Sequence, residues 1–289
     1  MKFQFISDHR QEYRVNTMCR VLDVSECGYY AWLKRPKSLR QQKNEELVEC
    51  IKEIHQSNRR VYGSPRIHAE LKTQGGACSR KRIARLMQTH GISAKIRRRR
   101  VQTTDSRHTN PIAENRLDRD FLATEPNRKW LTDITAIRTA EGWLYLAVVL
   151  DLYSRLVVGW SMSIHRDARL VENALHMALA RRHPPGGLLP HSDRGSQYTS
   201  QQYQEQLAQA GIEVSMSRKD NCWDNAPMES FFGTLKTEWV DQQSYGSYEE
   251  ARQSIFEYIE TFYNRKRRHS TLGYMSPVVY EQQRNRKEE

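Results

Sequence analysis

The pattern of hydrophobic and polar positions changes near residue 128, from helical spacing to a mixture of strands and helices. Before that point, apolar residues recur at helical spacing in NEELVECIKEIHQ, SPRIHAELKTQG and SRKRIARLMQTHG. We expect Ser64 and Ser79 to cap the second and third helices, with Pro65 in the first turn of the second, and Gly91 to end the third. An earlier stretch, VNTMCRVLDVSECGYYAWLKRP, predicts two shorter helices around Ser25. Both regions are therefore interpreted as helix-turn-helix units.

Three segments beyond residue 128 are rich in β-branched and aromatic residues and predict strands: RKWLTDITAIRT, GWLYLAVVLDLYS and LVVGWSMS. The connections between them are short, so the three strands form an antiparallel meander. Helices and short strands then alternate: the helix DARLVENALHMALARR, a strand ending at His191, a helix from about Ser200 to Gly211, the strand IEVSMS and a helix containing Glu229. This order is typical of a ribonuclease-H-like α/β domain with a mixed five-stranded sheet, preceded here by all-α helix-turn-helix regions.

The same pattern divides the chain into five predicted segments. They are a small helix-turn-helix-like region (1–40), a helix-turn-helix DNA-binding domain (41–100), a basic and polar linker (101–127), a ribonuclease-H-like core (128–240) and a C-terminal helix with a basic tail (241–289). The C-terminal helix is SYEEARQSIFEYIETFYN, which leads into the basic residues from Arg265 to Arg268.

Positive charge is concentrated in the N-terminal part of the 289-residue chain. The formal net charge is +12, and residues 1–127 contain 26 Lys and Arg against 14 Asp and Glu, whereas residues 128–289 contain 20 of each sign. Lysine and arginine neutralise phosphates and release counterions, so this asymmetry indicates a nucleic-acid partner. The third predicted helix carries Arg80, Lys81, Arg82 and Arg85 on its polar face, which suits a recognition helix. A solvated basic helix without a partner is the alternative.

A run of four arginines stands directly before the predicted linker: Arg97, Arg98, Arg99 and Arg100. Such a run is weak evidence by itself, because arginine runs are commonly solvated. Here it joins two segments suited to DNA, and we expect it to lie along phosphates.

The five cysteines are scattered and never spaced as C-x-x-C, which indicates free thiols in a reducing cytoplasm and gives no zinc-ligand spacing. The longest apolar run, Trp143–Leu150, is well short of the roughly 20 residues that a membrane span requires. The N-terminus also lacks the apolar region of a signal peptide. We therefore expect a soluble cytoplasmic protein with no membrane partner.

Three acidic residues are the candidate catalytic groups: Asp133 in a predicted strand, Asp193 at the end of another, and Glu229 early in a helix. Asp193 and Glu229 have 35 residues between them. Magnesium prefers hard oxygen ligands, and a pair of divalent ions can activate and stabilise the oxygens of a phosphodiester displacement. Each acid alone has an ordinary explanation: an exposed strand position, a turn former, or an acid at a helix N-terminus. Asp151 also ends a strand and competes with Asp133 as the metal ligand.

Helical spacing adds two polar residues to this hypothesis. Asn225 and Lys236 are four residues before and seven residues after Glu229, so the three are expected on one helix face. Lys236 could then bind substrate phosphate beside the metals. His191 could assist near Asp193, although a histidine at a strand end more often has a structural role.

The motifs LTDIT, HSDRGSQYTS and NCWDNAPMESFFGTLKTE resemble the catalytic motifs of insertion-sequence-3 family transposases, in the product of the second reading frame. YYAWLKR, YGSPRIHAEL and YNRKRRHSTLGYMSP extend the resemblance over most of the chain. It implies a retroviral-integrase-like core in which Asp133, Asp193 and Glu229 are the DDE metal ligands and Lys236 is the basic residue that follows the glutamate. The family cuts a 3′ end of the element and joins it to DNA, with magnesium and without a covalent enzyme intermediate.

The resemblance also implies partners and cofactors. The expected cofactors are two Mg²⁺ ions per active site, with Mn²⁺ as a substitute. The expected partners are double-stranded DNA, both as terminal inverted repeats and as target, further copies of the chain in at least a dimer, and a first-frame protein, fused or separate. The expected location is the bacterial nucleoid. Two departures stand out, because the chain has neither the His-His-Cys-Cys zinc module of retroviral integrases nor a leucine-heptad segment. Two alternatives stay open: a nuclease of the same fold, and a DNA-binding regulator with inert acids.

Overall fold

The computed structural model describes residues 1–95, 112–218 and 222–288. Contacts between Cα atoms divide the chain into two compact units, Met1–Glu53 and Ile54–Glu289. Arg97 to Arg100, and the predicted linker as far as residue 111, fall outside the described residues. No helix in the described ranges has both the length and the apolar character needed to cross a membrane.

The N-terminal unit consists of short helices around a small apolar core. Its helices are α1 (Lys2–Asp8), α2 (Val15–Val21), α3 (Glu26–Lys34) and the first part of α4 (Leu39–Ser57). Ile6, Met18, Cys19 and Tyr29 form the core. Ser25 caps α3, because its side chain accepts a hydrogen bond from the backbone N–H of Gly28 at 3.0 Å. The two predicted helices around Ser25 are confirmed, and α1 is an additional helix.

Two further helices open the larger unit after the end of α4: α5 (Ser64–Thr73) and α6 (Arg80–Thr89). The cap predicted for α6 is confirmed, since Ser79 accepts from the backbone N–H of Arg82, and Gly91 follows the helix with φ +66°. The cap predicted for α5 is wrong. Gly63 is the N-cap, with no side-chain hydrogen bond, because Ser64 already has helical backbone as the first residue of α5.

A mixed five-stranded sheet is the centre of the larger unit. Its strands are β1 (Lys129–Thr139), β2 (Gly142–Asp151), β3 (Val157–Ser163), β4 (Leu189–Ser192) and β5 (Ser215–Met216), in the spatial order β3-β2-β1-β4-β5. The predicted antiparallel meander of β1, β2 and β3 is confirmed, and β4 and β5 join it in parallel. Of the predicted strand IEVSMS, Ser215 and Met216 form β5, and the backbone N–H of Ser217 donates to the carbonyl oxygen of Ser192 at 2.9 Å.

Helices α7 (Ala168–Arg182) and α8 (Gln201–Gln209) connect the parallel strands. Asp167 caps α7 and Ser200 caps α8. α7 packs closely on the sheet, because Gly159 in β3 has no side chain: a Cβ there would lie 2.2 Å from the carbonyl oxygen of Ala174. This contact fixes the distance between the helix and the strands.

The remaining elements follow the sheet: α9 (Ala226–Glu238), α10 (Tyr248–Phe256) and α11 (Pro277–Glu288). α10 continues as a π-helix over Glu257–Tyr263, so the long C-terminal helix predicted from the sequence has two geometries. The segment expected to be a basic tail contains α11. Arg267, which precedes that helix, is buried and forms an ion pair with Glu238 at 2.6 Å. A buried charge is costly without a partner, and Glu238 is the partner of Arg267.

Candidate active site

Asp133 and Asp193 lie on neighbouring elements of the sheet. β1 and β4 are parallel, and Leu131 pairs with His191. Asp133 is two residues beyond Leu131, and Asp193 is two residues beyond His191, directly after the end of β4. Side chains alternate between the faces of a strand, and adjacent strands are about 4.8 Å apart. The register therefore directs both carboxylates to one place.

The Asp133 carboxyl group is buried, with 7% of the residue surface exposed. Burial raises its pKa well above the usual 3.8, and the negative charges of Asp193 and Glu229 raise it further. Two groups oppose the rise: the backbone N–H of Ile134, which donates to Oδ1 at 2.7 Å, and the guanidinium of Arg166. The three acids of the predicted triad thus influence one another electrostatically.

The loop after β4 holds Asp193 in place. The backbone N–H of Gly195 donates to Asp193 Oδ1 at 2.9 Å. Gln197 Nε2 donates to the carbonyl oxygen of Arg166 at 3.0 Å, which ties this loop to the segment between β3 and α7. That tie brings the Arg166 cation to the acids.

Tyr198 lies beside the two aspartates, with its hydroxyl 3.2 Å from Oγ1 of Thr132. Burial raises the pKa of Tyr198 well above 10, and the charges of Asp133 and Asp193 add to the rise. The phenol therefore stays neutral and gives the aspartates an uncharged neighbour.

Glu229 lies in the first turn of α9, where the helix dipole favours a negative charge. A second carboxylate, Asp224, fixes the approach to this helix. Asp224 is fully buried and accepts hydrogen bonds at 2.9 Å from the Arg218 backbone N–H, Arg119 Nε and Asn115 Nδ2. Burial raises the pKa of Asp224, but the hydrogen bonds from Arg218 and Arg119 outweigh it and hold the pKa below 3.8.

Asn225 is the N-cap of α9 and not part of it, so the helical-spacing argument applies to Glu229 and Lys236 alone. The Asn225 side chain is buried at 6% exposure, and neither its Oδ1 nor its Nδ2 has a hydrogen-bond partner among the described residues. A buried amide in this state is costly unless a ligand pairs with it. Lys236 lies nearly two turns beyond Glu229 on the same face of the helix.

A divalent cation fits the chemical type of these groups. Three carboxylates and an unbonded amide oxygen are hard oxygen donors, the ligands that Mg²⁺ prefers. The charges of Asp193 and Glu229 also raise the pKa of Asp133, a repulsion that a cation would offset. Among the described residues, however, no three His, Cys, Asp or Glu side chains are already arranged as a metal-ligand group. The acids therefore match Mg²⁺ in donor type.

His191 has a structural role. It is fully buried, and its two ring nitrogens lie 2.8 Å from Ser215 Oγ and 3.0 Å from Ser217 Oγ. Burial lowers the pKa of His191 to about 4, although Asp224 opposes the shift. A neutral histidine with both nitrogens engaged connects β4 to β5.

Asp151, the competitor of Asp133, is also engaged elsewhere. It is fully buried, and its carboxylate accepts from the backbone N–H groups of Asn127 at 2.7 Å and Tyr153 at 2.8 Å, and from Trp130 Nε1 at 3.3 Å. These contacts anchor the end of β2 to the start of β1.

The basic face of α6 is accessible in the larger unit. Arg80, Lys81 and Arg85 are exposed, whereas Arg82 is half-buried. Ile83, Leu86 and Met87 are buried on the opposite side of the helix. This division of faces is the one expected of a helix that packs on one side and binds DNA on the other.

Sequence reasoning misses two groups of this site, Asp224 and Arg166. Asp224 stands next to the predicted Glu229 helix, so its place at a helix start is the signal that could have found it. Arg166 has no local signal, because the fold alone brings it to Asp133.

Comparisons with known proteins agree with this architecture. A family model described as Integrase core domain matches residues 123–222, a second with the same description matches residues 229–284, and one described as HTH-like domain matches residues 42–100. The predicted fold class is confirmed: a mixed five-stranded integrase core with helices, preceded by helical regions.

Two relatives span nearly the full chain. Transposase InsF for insertion sequence IS3A of Escherichia coli (strain K12) is 44% identical over 283 residues, 97% of this chain and 98% of the relative. The insertion element IS600 uncharacterized 31 kDa protein of Shigella sonnei is 45% identical over 263 residues, 91% of this chain and 97% of the relative. The chain belongs to the insertion-sequence-3 family of transposases, and its function is that of a DNA transposase.

Solved structures with a similar chain include the cryo-EM structure of the simian T-cell lymphotropic virus intasome in complex with PP2A regulatory subunit B56 gamma. The TM-score is 0.47 at 16% identity, covering 80% of this chain and 74% of that chain. The HTLV-2 integrase catalytic core domain in complex with magnesium matches with a TM-score of 0.43 at 17% identity, covering 55% of this chain and 99% of that chain.

Proposed function

We propose that this transposase cuts the 3′ ends of its insertion sequence and joins them to target DNA at Asp133, Asp193 and Glu229, which bind two divalent ions. The observation that carries the proposal is the β1–β4 register, which places Asp133 beside Asp193, together with the effect of both other acids on the Asp133 pKa. Mg²⁺ is the expected ion, with Mn²⁺ as a substitute.

The divalent ions, when bound, would activate the attacking oxygen and offset charge on the reacting phosphodiester. The three carboxylates would hold them. Carboxylates at about 5 Å repel each other by about 3 kcal/mol per pair at an effective dielectric constant near 20. Bound divalent cations would offset this repulsion.

Nearby polar and basic side chains would orient the DNA. Lys236 follows Glu229 on one face of α9, and its ammonium would contact a phosphate next to the reacting one. The buried amide of Asn225 would donate to or accept from substrate at the start of the same helix. Arg166 already stabilises the charge of Asp133 and would stabilise added negative charge on the phosphodiester in the same way.

The DNA partners follow from the reaction. The exposed basic face of α6, with Arg80, Lys81 and Arg85, would bind the terminal inverted repeats, and Arg82 would add to it. Two ends must be held together before joining, so we expect at least a dimer, with or without a first-frame protein. A protein that acts on the DNA of a bacterium is expected at the nucleoid in the cytoplasm.

A strand-transfer assay tests the proposal. Labelled duplex carrying an end of the element is incubated with a supercoiled target and Mg²⁺, and joined and hydrolysed products are separated. The wild type should give joined products, and Asp133→Asn should abolish end cleavage and joining while it binds the same duplex in metal-free buffer. Asp8→Asn, which removes the same charge from an exposed position of α1, is the control. Joining by Asp133→Asn at the wild-type rate would refute the assignment of Asp133 as a catalytic metal ligand. If the wild type hydrolysed the end DNA without joining it to the target, the protein would be a nuclease.

A further inference from the structure

Arg155, in the turn between β2 and β3, is a charged side chain with no hydrogen-bond acceptor among the residues that the structure describes. It is half-buried, and among the described residues its guanidinium has neither a hydrogen-bond acceptor nor an ion-pair partner. Burial lowers the pKa of Arg155, while Tyr263 and Asp151 raise it. The oxygens of Asp151 already accept hydrogen bonds from Asn127 and Tyr153.

This arginine has lost part of its contact with water. A guanidinium remains charged in proteins, and a partly dehydrated charge is stabilised when an acceptor replaces the lost water. An anion that enters the cavity from solvent would provide that acceptor. Arg155 therefore has the properties of a ligand-binding group.

The guanidinium lines a cavity of about 350 Å³ between α9 and the C-terminal segment of the chain. Arg66, Arg267 and His269 also line it, and no carboxylate is among its described lining residues. A cavity of this volume can accept a phosphate group with part of its nucleotide.

The charge balance around the cavity is positive. Glu238 accepts from Arg267 at 2.6 and 2.7 Å and from Arg66 at 3.2 Å, so one carboxylate faces two guanidinium groups. Arg155 adds a third cation that Glu238 does not contact. Burial lowers the pKa of His269, and the charges of Arg267, Arg66 and Arg155 lower it further, as expected where the potential is positive.

Neutral donors complete the lining. Hydroxyl groups of Ser230, Thr234, Ser270 and Thr271 face the same cavity. Arginine together with hydroxyl donors is a common set for phosphate oxygens in protein–DNA contacts. An adjoining cavity of about 480 Å³ shares Arg66, Thr234, Arg267 and Ser270 with the first, and both Lys95 and Glu238 contribute to its lining.

The cavity is close to the candidate catalytic acids, because both use α9. Ser230, which lines the cavity, directly follows Glu229 and is about 100° from it around the helix. The cavity and Glu229 therefore lie on different sides of the same helix. A phosphate bound in the cavity would belong to DNA that also contacts α9.

We propose that this cavity binds a backbone phosphate of the DNA on which the transposase acts, with Arg155 as the principal contact. The inference rests on the proposed function only in placing reacting DNA against α9. It is therefore tested by DNA binding in the absence of metal. The result of that measurement does not depend on whether Asp133, Asp193 and Glu229 bind divalent ions.

The first experiment is a salt titration of binding to a duplex carrying the end of the element, in metal-free buffer. Arg155→Gln should lower affinity about tenfold and make the slope of log K against log salt shallower by about 0.9, the value for one lost phosphate contact. Arg138→Gln removes an exposed charge at the far end of β1 and should change neither quantity. Equal behaviour of the two variants would overturn the proposal.

A second pair of variants keeps the test independent of any folding defect in Arg155→Gln. Ser270 is exposed and lines both cavities. The aspartate introduced by Ser270→Asp should repel a phosphate and weaken binding to the duplex. The asparagine of Ser270→Asn has the same size as aspartate but no charge, so this variant should bind within about twofold of the wild type. Equal affinity of the Asp and Asn variants for the duplex would contradict the proposal.

Uncharged methylphosphonate linkages, placed one at a time in the duplex, locate the contact. At one position the wild type should lose affinity about tenfold and Arg155→Gln should lose none. A scan in which both proteins lose affinity at the same positions would exclude a phosphate contact of Arg155. Inorganic phosphate is the competing ligand: if it raises the unfolding temperature of the wild type alone while both proteins bind DNA equally, the cavity is a small-anion site and the proposal fails.

Discussion

Asp133 and Asp193 occupy equivalent positions on β1 and at the end of β4, each two residues beyond the Leu131–His191 pair. The relationship depends on strand register and not on sequence proximity. A one-residue slip between parallel strands would turn one of the two side chains to the other face of the sheet. The hydrogen bonds of His191 to Ser215 and Ser217 hold β4 against β5 and the residue that follows it.

The exposed basic residues of α6 should control DNA affinity. The double variant Arg80→Ala with Arg85→Ala removes two exposed charges and should weaken binding to end DNA, with a salt slope shallower by about 1.8. Gln88→Ala changes an exposed neutral residue of the same helix and should leave the slope unchanged. Fluorescence anisotropy across a salt titration measures both. A double variant with the slope of the wild type would remove α6 from the DNA interface.

The sequence predicts the elements of this fold better than it predicts their contacts. The meander of β1, β2 and β3 and the cap at Ser79 are determined by local residue types, and both are confirmed. The N-cap of α5 is predicted at Ser64 but is Gly63 in the structure, an error of one residue. Errors of this size are common at helix ends, because the cap position depends on backbone geometry.

Long-range contacts in the site have no local signal. The segment that contains Arg166 is tied to the loop after β4 by a hydrogen bond from Gln197, and the Arg166 charge lowers the pKa of Asp133. Arg155 lines a cavity together with Arg267. The basic residues near the C-terminus are predicted to form a solvated tail, because runs of charged residues are usually exposed to solvent. In the structure, however, Arg267 is buried and forms an ion pair with Glu238. Such pairings become visible only when the fold is known.

Gly159 should be intolerant of any side chain. The Cβ of Gly159→Ala would lie 2.2 Å from the Ala174 carbonyl oxygen and 2.8 Å from the Ala178 backbone nitrogen, so β3 and α7 must separate. Overpacking of this kind costs about 3 kcal/mol in the free energy of unfolding. Gly186→Ala is the control, because nothing lies within 4 Å of the added Cβ. Urea unfolding of both variants checks the prediction, and equal midpoints would contradict the close packing.

The Glu238 carboxylate should be a main electrostatic contributor to stability. Glu238→Gln leaves Arg267 buried without its ion-pair partner and should lower the free energy of unfolding by about 3 kcal/mol at pH 7. Glu205→Gln alters an exposed glutamate of α8 and should have little effect. Urea unfolding measures the difference.

The stability difference should also depend on pH. Burial raises the pKa of Glu238, but the charges of Arg267 and Arg66 and their hydrogen bonds outweigh it and hold the pKa below 4.5. A carboxyl group with a lowered folded-state pKa stabilises fully above its unfolded-state value, and this stabilisation is lost as the pH falls through the folded-state value. The gap between wild type and Glu238→Gln should be constant above about pH 6 and shrink below 4.5. A gap that stays constant to lower pH would contradict the ion-pair assignment.

The central claim is that Asp133, Asp193 and Glu229 bind the divalent ions of the reaction, and a change of ligand tests it most directly. Thiolate is a poor ligand for Mg²⁺ and a better one for Mn²⁺. The measurement is the ratio of joined product in Mg²⁺ to that in Mn²⁺, for the wild type and for Asp193→Cys. If Asp193 is a metal ligand, the ratio should fall at least about tenfold in the variant. An unchanged ratio, with joining in Mg²⁺ at the wild-type level, would contradict the claim.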